Sequence, residues 1–252
     1  MEKDILIMLT GVIVGAMNAI AGGGMLVGFP VLVALGVPPL VANVTANAIL
    51  PPGVAVAVGA YRAYVRRIPL RYAWLLAPII FGAAAGALTL RETDSAQFTQ
   101  LVPWLVLFGV VLFAFQPLIH LRLHHHIHHR RGGDRTLFYI GLAVLPASFY
   151  GGYFGAGYGF MMLAFLGFGA VHEIHMLTAM KNISSLVVSL VCLSMLAATG
   201  LVDWHVALVM GTGATAGGYL GAAIAQNVPS RPLRIFIILT GLCAAAYLAL
   251  QT

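Results

Sequence analysis

Long uncharged apolar segments constrain the fold of this chain more than any other feature. Of its 252 residues, 61% are hydrophobic and 8% are charged, against about 25% charged in an ordinary soluble domain. A helix crosses a bilayer with about 20 mainly apolar residues. Runs of about this length are Val41 to Ala60, Tyr72 to Leu90, Leu101 to Ile119, Ala179 to Ala198, His205 to Ala225 and Leu233 to Leu250. Because none shows the alternation of a barrel strand, we predict an all-α polytopic membrane protein.

The chain also contains an internal repeat. One constant offset, which moves residue 22 onto residue 157, aligns three separated blocks without a gap. The aligned blocks are Ala21-Gly22-x-Gly24 with Ala156-Gly157-x-Gly159, Asn47 with Asn182, and Gly82-x-x-x-Gly86-Ala87 with Gly217-x-x-x-Gly221-Ala222. Internal repeats of this kind are typical of transporters. We therefore assign residues 1–119 to a first transmembrane repeat, 120–136 to a linker and 137–252 to a second repeat.

The basic residues of the loops predict that the two repeats are inverted in the membrane. The loop after the first run carries Arg62, Arg66, Arg67 and Arg71. Its equivalent in the second repeat, Thr199 to Trp204, has no Lys or Arg. The positive-inside rule therefore places the first loop and the linker in the cytoplasm and Thr199 to Trp204 outside. In this topology of the cell membrane, the N- and C-termini are both extracytoplasmic.

A glycine cluster interrupts the first part of each repeat. The inverted topology requires that Ile5 to Gly36 and Leu137 to Val171 each enter and leave on one side of the membrane. At about 1.5 Å per residue, we expect each arm to be short for a full crossing. The glycine clusters at residues 22–24 and 151–159 lie at the centres of these segments. We predict that each repeat is a glycine-broken helical hairpin followed by three spanning helices.

The glycine clusters are candidate sites for a small anion. Irregular backbone occurs at membrane depth only where it is buried in protein or lines a cavity. A glycine turn there exposes the N-terminus of the following half-helix, which is positive and suits an anion. The alternative is that the glycines only allow close helix packing, which we favour for the later glycine pair of each repeat. The candidate substrate-binding glycines are Gly22, Gly23, Gly24, Gly157 and Gly159.

Polar side chains near these clusters are further candidates for the site. Asn47 and Asn182 are equivalent in the repeat, and Asn43 precedes Asn47 on the same predicted helix. Each asparagine could instead make an interhelical hydrogen bond. Lys181 is the only basic residue that we place at depth in the membrane. It is either a buried functional group or a side chain whose ammonium reaches the cytoplasmic surface.

The acidic residues argue against a cation site at the membrane midplane. All seven fall at termini, in loops or at helix ends: Glu2, Asp4, Glu92, Asp94, Asp134, Glu173 and Asp203. Backbone amides, asparagines and one lysine without a carboxylate suit an anion better than a cation.

Other chemistries find less support in the sequence. The linker carries His120, His124, His125, His126, His128 and His129. Their spacing could bind a transition metal, but a solvated basic loop near anionic headgroups is the simpler interpretation. Cys192 and Cys243 lack ligand spacing, and Ser148, Ser184 and Ser189 have no paired His and Asp. We therefore expect no enzyme activity, no metal site, no cofactor and no nucleic-acid partner; a monomer and a homodimer both remain open.

Two groups of motifs resemble a known family. The first is Ala19-Ile20-Ala21-Gly22-Gly23-Gly24-Met25, followed by Ala42 to Asn47, Pro52-Gly53 and Ala60-Tyr61-Arg62. The second is residues 151–159, followed by Ala179-Met180-Lys181-Asn182 and Val202-Asp203-Trp204. Together they are similar to the TauE/SafE sulfite exporter family. The resemblance implies a secondary transporter that exports sulfite, an organosulfonate or a related small anion, for which we expect alternating access. An anion channel, an importer of another organic anion and a metal-ion transporter remain alternatives.

Overall fold

All regular secondary structure in the described part of the chain is helical. The computed structural model describes residues 2–20, 22–126, 134–167 and 173–224, with 238–239, 242–243 and 245–246. The helices are α1 (Glu2–Ile20), α2 (Met25–Ala34), α3 (Pro39–Ala48), α4 (Leu50–Ala60), α5 (Arg62–Val65), α6 (Leu76–Glu92), α7 (Ser95–His126), α8 (Asp134–Tyr153), α9 (Tyr158–Gly167), α10 (Ile174–Leu196) and α11 (Trp204–Ile224). A 3₁₀ turn, Leu70–Leu75, precedes α6. The predicted all-α class is confirmed.

Six helical segments within the described residues are long and apolar enough to cross a membrane. They are Glu2–Ile20, Pro39–Ala60, Leu70–Glu92, Ser95–Leu112, His175–Leu196 and Trp204–Ala223. Five of them coincide with predicted runs. Most of the sixth predicted run, Leu233 to Leu250, lies outside the described residues. Residues 127–133 of the histidine-rich linker also lie outside them, and the side chains of residues 120–126 are not described. The chain is a multi-pass membrane protein.

A glycine turn breaks the first part of each repeat, as the sequence predicts. Gly22 between α1 and α2 has φ +82°, and Gly157 between α8 and α9 has φ +87°. Only glycine adopts this backbone conformation readily. The half-helices after the turns, α2 and α9, have 10 residues each, or about 15 Å.

The helices before the glycine turns are longer than expected. α1 has 19 residues and α8 has 20, or about 30 Å each, and α1 is long and apolar enough to span the membrane. The expectation that both arms of each hairpin are short is therefore wrong for the first arm. No helix breaker stands between Glu2 and Ile20, so the helix continues until the glycines end it. Each hairpin has one long arm, of 19 or 20 residues, and one short arm of 10 residues.

The two repeats pack across each other through glycine faces. A Cβ on Gly217 of α11 would overlap the carbonyl of Val12 on α1. In the corresponding contact, a Cβ on Gly86 of α6 would overlap the carbonyl of Phe149 on α8. These contacts agree with the close-packing interpretation of the later glycine pairs. The long arm of each hairpin thus lies against a spanning helix of the other repeat.

The predicted run Val41 to Ala60 is broken in the structure. α3 ends at Ala48 and α4 begins at Leu50, with Pro51 and Pro52 in the first turn of α4. Proline has no N–H to continue the helical hydrogen bonds, which accounts for the break. The equivalent helix α10 is continuous over 23 residues.

Candidate functional site

Lys181 lies at the point where the two glycine turns meet. Its side chain is fully buried, with 0% exposure, and its Nζ donates a hydrogen bond to the backbone carbonyl of Asn18 over 2.9 Å. The methylene chain of Lys181 packs against both turns, because its Cδ lies 3.4 Å from a Cβ placed on Gly22 and 3.1 Å from a Cβ placed on Gly159. The ammonium therefore does not reach the membrane surface. We call Asn18, Gly22, Gly159 and Lys181 the central cluster.

The two turns of the central cluster touch backbone to backbone. A Cβ placed on Gly22 would lie 2.8 Å from Cα of Gly159, and one on Gly159 would lie 2.7 Å from Cα of Gly22. Any side chain at either position would force the turns apart. Glycine is therefore required at residue 159 for close approach, and at residue 22 for close approach and positive φ.

A second cross-repeat hydrogen bond resembles the one made by Lys181. Nδ2 of Asn43 on α3 donates to the carbonyl of Tyr153 over 2.9 Å. Tyr153 and Asn18 are related by the same offset that moves residue 22 onto residue 157. In each repeat, a carbonyl near the end of the long arm thus accepts a hydrogen bond from the other repeat. Since the C-terminal end of a helix is negative, the Lys181 ammonium is favourably placed at α1.

Asn47 belongs to the surroundings of the second glycine turn. Its Nδ2 donates to the carbonyl of Asn43 over 3.2 Å. A Cβ placed on Gly155, which has φ +83°, would lie 3.1 Å from both Oδ1 of Asn47 and Sδ of Met25. The side chains at the start of α2 and on α3 therefore meet at the turn between α8 and α9.

Two buried amide atoms lack a hydrogen-bond partner within the described part of the chain. They are Nδ2 of Asn182 and Oδ1 of Asn43, and these side chains are 1% and 0% exposed. A buried polar atom without a partner costs about 1–3 kcal/mol. Such atoms are expected where another molecule supplies the missing partner.

Asn182 lines a small cavity next to the central cluster. The cavity has a volume of about 10 Å³ and lies between α1, α4, α10 and α11. Its lining residues are Gly15, Asn18, Ala19, Leu50, Gly53, Val54, Ala57, Asn182 and Ala214. This space is about enough for one water molecule.

The remaining predicted glycines face neighbouring helices. A Cβ on Gly23 would lie 3.0 Å from the ring of Phe160, and one on Gly157 would lie 3.3 Å from Cα of Gly109 on α7. A Cβ on Gly24 would overlap the carbonyl of Val14 on α1. Of the predicted site residues, Gly22, Gly159 and Lys181 lie together in the central cluster. Asn43 and Asn47 lie near the second glycine turn. Asn182 lines the cavity. A Cβ on Gly23, Gly24 or Gly157 would therefore meet a neighbouring ring or helix rather than the central cluster, and their predicted role in substrate binding stays a prediction.

A buried hydroxyl pair lies close to this region, and no motif in the sequence predicts it. Oγ of Ser148 lies 3.4 Å from the hydroxyl of Tyr158, and Oγ of Ser184 donates to the Lys181 carbonyl over 2.8 Å. Sequence reasoning considered these serines only as nucleophiles. Ser148 lies three residues before a glycine cluster and Ser184 lies two residues after Asn182, and this proximity is the signal that could have found them.

Aromatic residues cover the cavity on the side of the Arg62 to Arg71 loop. Tyr64 stacks on His175 with ring centroids 5.0 Å apart, and Tyr61 lies 6.4 Å from the same ring. Tyr61 is 5% exposed and packs with Ala19 and Ala57, which also line the cavity. We call Tyr61, Tyr64 and His175 the Tyr61 cluster.

A second aromatic group lies around the Asn43 to Tyr153 hydrogen bond. Phe154 lies 5.3 Å from Phe29 and 6.4 Å from Phe98, and Phe98 lies 6.0 Å from Tyr153, between ring centroids. The three phenylalanines are fully buried. We call these four residues the Phe154 cluster.

Lys181 is the only charged residue that is buried among the described side chains. No carboxylate described in the structure is buried with it. Within the described residues, no group of three His, Cys, Asp or Glu side chains could hold a metal ion. The described interior thus offers an unpaired donor on Asn182, an unpaired acceptor on Asn43 and one lysine.

The chain is similar to known membrane transporters over nearly its whole length. Residues 7–248 match the model of the family described as "Sulfite exporter TauE/SafE". A "Probable membrane transporter protein" of Haemophilus influenzae is 29% identical over 244 residues, covering 91% of this chain and 88% of the relative. No solved structure matches the chain.

Proposed function

Because the chain belongs to the sulfite exporter TauE/SafE family, we propose that it exports sulfite or a related small sulfur-containing anion, such as an organosulfonate, across the cytoplasmic membrane by alternating access. The observation that carries the proposal is the buried Lys181 ammonium between the two repeats. An ionised group in a membrane interior is costly unless it is paired. Since no buried carboxylate is described there, an anionic substrate is the partner that would balance the charge.

The donors around Lys181 suit an oxyanion. Asn182 has a free Nδ2 beside the central cluster, and α2 and α9 begin within a few residues of the glycine turns. Helix N-termini bind anions through their N–H groups and dipole. We expect the ammonium to turn from the Asn18 carbonyl to the substrate when the anion enters.

Alternating access is supported by an aromatic cluster on each side of the central cluster and by the contact between the two glycine turns. The cavity at Asn182 has about 10 Å³, which is too small for an oxyanion of sulfur. In our proposal, the Tyr61 cluster opens toward the cytoplasm and the Phe154 cluster opens toward the outside, one at a time. The contact between Gly22 and Gly159 is where the repeats move against each other.

The membrane potential supports export without a coupling ion. With a negative interior, each negative charge that leaves gains about 2.3 kcal/mol per 100 mV. If transport is coupled to protons, we propose that Lys181 or the substrate itself carries the proton.

Flux measurements on purified protein in liposomes test the proposal. We expect the wild-type chain to carry sulfite or an organosulfonate, and Lys181→Gln to abolish this flux. Lys3→Gln is a matched control, because Lys3 is the only other lysine and is exposed. Wild-type flux in Lys181→Gln would remove this residue from the site.

The same liposomes separate the proposed function from its alternatives. Zn²⁺ flux without anion flux would favour a metal transporter, and inward flux of an organic anion would favour an importer. An anion current that corresponds to many more ions per second than a carrier can transport would favour a channel.

A further inference from the structure

A chain of buried hydroxyl groups connects the second glycine turn to the backbone of Lys181. Oγ of Ser148 on α8 lies 3.4 Å from the hydroxyl of Tyr158, the first residue of α9. The Tyr158 hydroxyl also interacts with the hydroxyl of Ser184 on α10, and Oγ of Ser184 donates to the Lys181 carbonyl over 2.8 Å. All three residues are buried. We call Ser148, Tyr158 and Ser184 the hydroxyl chain.

The last hydrogen bond fixes the direction of the others. Since the Ser184 proton lies on the Lys181 carbonyl, the Tyr158 hydroxyl donates to Ser184 and accepts from Ser148. Hydrogen bonds arranged head to tail polarise and strengthen one another. A buried hydroxyl that loses its partner is costly. The hydroxyl chain therefore ties α8 and α9 to the turn of α10 that carries Lys181.

The start of α9 also holds the side chain of Lys181. Gly159 follows Tyr158 in the sequence, and Cδ of Lys181 lies 3.1 Å from a Cβ placed on Gly159. The ring of Tyr158 packs closely on α8, because its Cδ2 lies 2.7 Å from a Cβ placed on Gly151. Two consecutive residues thus contact Lys181 or its turn, one through the methylene chain and the other through the hydroxyls.

The first repeat has neither the lysine nor the hydroxyls. The offset that moves residue 22 onto residue 157 relates Lys181 to Ala46. It relates the members of the hydroxyl chain to Ile13, Gly23 and Ile49, none of which carries a hydroxyl. A glycine turn can therefore be built without such a chain. The hydroxyls occur in the repeat that supplies the buried lysine.

We propose that Tyr158 is a positioning residue for the anion-binding groups of Lys181 and Asn182. It acts through Ser184, which fixes their turn of α10 against the second glycine turn. This inference rests on the proposed function, in which the Lys181 ammonium and Nδ2 of Asn182 bind the substrate. Tyr158 itself does not touch the anion. Without its hydroxyl, the two donors sample more orientations, so the affinity for the anion falls while the movement of the repeats is kept.

Transport kinetics in liposomes test this role. For sulfite or methanesulfonate, whichever the wild-type chain carries, we expect Tyr158→Phe to raise KM about fivefold, as for the loss of one hydrogen bond. The maximal rate should stay within about twofold of wild type, because the change removes ground-state binding. An unchanged KM in Tyr158→Phe would overturn the proposal.

Tyr150→Phe is the matched control for the loss of a tyrosine hydroxyl. The Tyr150 hydroxyl donates to the backbone carbonyls of Ala156 and Leu105 over 2.7 and 3.3 Å, so it has a structural role away from α10. Tyr150→Phe should lower stability and leave KM unchanged. An equal rise of KM in Tyr150→Phe and Tyr158→Phe would show a general loss of packing and contradict the positioning role.

A double-mutant cycle tests the route through Ser184. Ser184→Ala should raise KM, and its combination with Tyr158→Phe should not exceed the larger single effect, because both changes break the same chain. Ser189→Ala removes another buried hydroxyl of α10, one that donates to the Leu186 carbonyl, and should leave KM unchanged. Multiplied effects of Tyr158→Phe and Ser184→Ala would contradict the route.

Hydrogen exchange separates this inference from the proposed function. Tyr158→Phe should speed amide exchange in residues 179–186 at least about threefold, and Tyr150→Phe should not. If the wild-type chain carries neither anion, the proposed function fails, and the exchange rates still decide whether Tyr158 fixes the turn of Lys181. Wild-type exchange in Tyr158→Phe, or faster exchange with a wild-type KM, would overturn the proposal.

Discussion

At the scale of single residues, Asn182 and Asn43 differ in what their amides do for the fold. Nδ2 of Asn182 has no described partner, whereas Nδ2 of Asn43 satisfies the Tyr153 carbonyl. The two asparagines are both buried, so substituting them separates a functional polar group from a structural one.

We predict that Asn182→Ala costs little stability and impairs transport. Removing an unpaired buried donor recovers about 1–3 kcal/mol, which offsets the loss of side-chain packing. Asn43→Ala should lower the free energy of unfolding by about 1–3 kcal/mol more than Asn182→Ala, because each change removes one unpaired amide atom but only Asn43→Ala leaves the Tyr153 carbonyl without its donor. Unfolding in detergent and sulfite flux measure the two effects. A larger stability loss in Asn182→Ala than in Asn43→Ala would contradict this assignment.

Glycine substitutions distinguish close contact from backbone strain. Gly22 has positive φ and touches Gly159, Gly159 has the contact without positive φ, and Gly36 has φ +91° with no atom within 4 Å of its Cβ position. We predict that Gly36→Ala costs about 1–2 kcal/mol from strain alone. Gly22→Ala should cost roughly 2–5 kcal/mol, because the overlap adds to the strain. Equal losses of unfolding free energy at Gly22 and Gly36 would show that the crossing of the turns is looser than described.

At the scale of elements, the junction between α4, α5 and α10 is where we propose that one end of the transport path closes. Arg67 lies with Cζ 5.9 Å from the Tyr64 ring centroid, so the Tyr61 cluster is held by a cation as well as by stacking. Of these segments, α5 has only four residues, none of which is buried, which suits an element that opens.

We predict that Tyr64→Ala exposes the cavity to water. In a Cys243→Ser background, where Cys192 is buried, Ala57→Cys should react slowly with a hydrophilic thiol reagent because Ala57 is 1% exposed. Adding Tyr64→Ala should speed this reaction at least about tenfold. Tyr139→Ala, which removes an exposed aromatic residue outside the cluster, is the control and should leave the rate unchanged. No acceleration in Tyr64→Ala would exclude the Tyr61 cluster as a gate.

The sequence predicted the spanning helices and the glycine turns better than it predicted the tertiary contacts between them. Five of the predicted spans have counterparts because apolar length is a local property, and the glycine turns follow from backbone freedom. The length of α1 was underestimated because the charged residues Glu2, Lys3 and Asp4 shorten its apolar run. The carbonyls of Asn18 and Tyr153 could not be found, since every residue carries a carbonyl and only the tertiary structure decides which one meets Lys181 or Asn43. The same holds for Gly24 and Gly157, whose facing helices are set by packing.

At the scale of the whole molecule, the packing of α1 on α11 and of α8 on α6 makes each repeat dependent on the other. This exchange of partners, with the two related hydrogen bonds at residues 18 and 153, is what two repeats related by a twofold axis would produce, whether they are inverted or parallel. The orientation of the loops stays a prediction from their charges.

Labelling of single cysteines tests the inverted topology. Arg66→Cys and Gly200→Cys lie in loops at equivalent places of the two repeats, and both residues are exposed. In intact cells, we predict that a membrane-impermeant reagent labels Gly200→Cys, and labels Arg66→Cys only after permeabilisation. Labelling of both from the same side would mean that the repeats are parallel.

The glycine contacts between α1 and α11 also have a consequence for biosynthesis. α1 ends at Ile20 and α11 begins at Trp204, so α1 leaves the ribosome long before the partner helix against which it packs. At about 5–20 residues per second, this interval lasts roughly ten to forty seconds. During that time, the glycine face of α1 is open to lipid or to an insertion factor. The chain thus enters the membrane long before it folds there, and a substitution at Gly11 or Gly15 would act first on the yield of assembled protein.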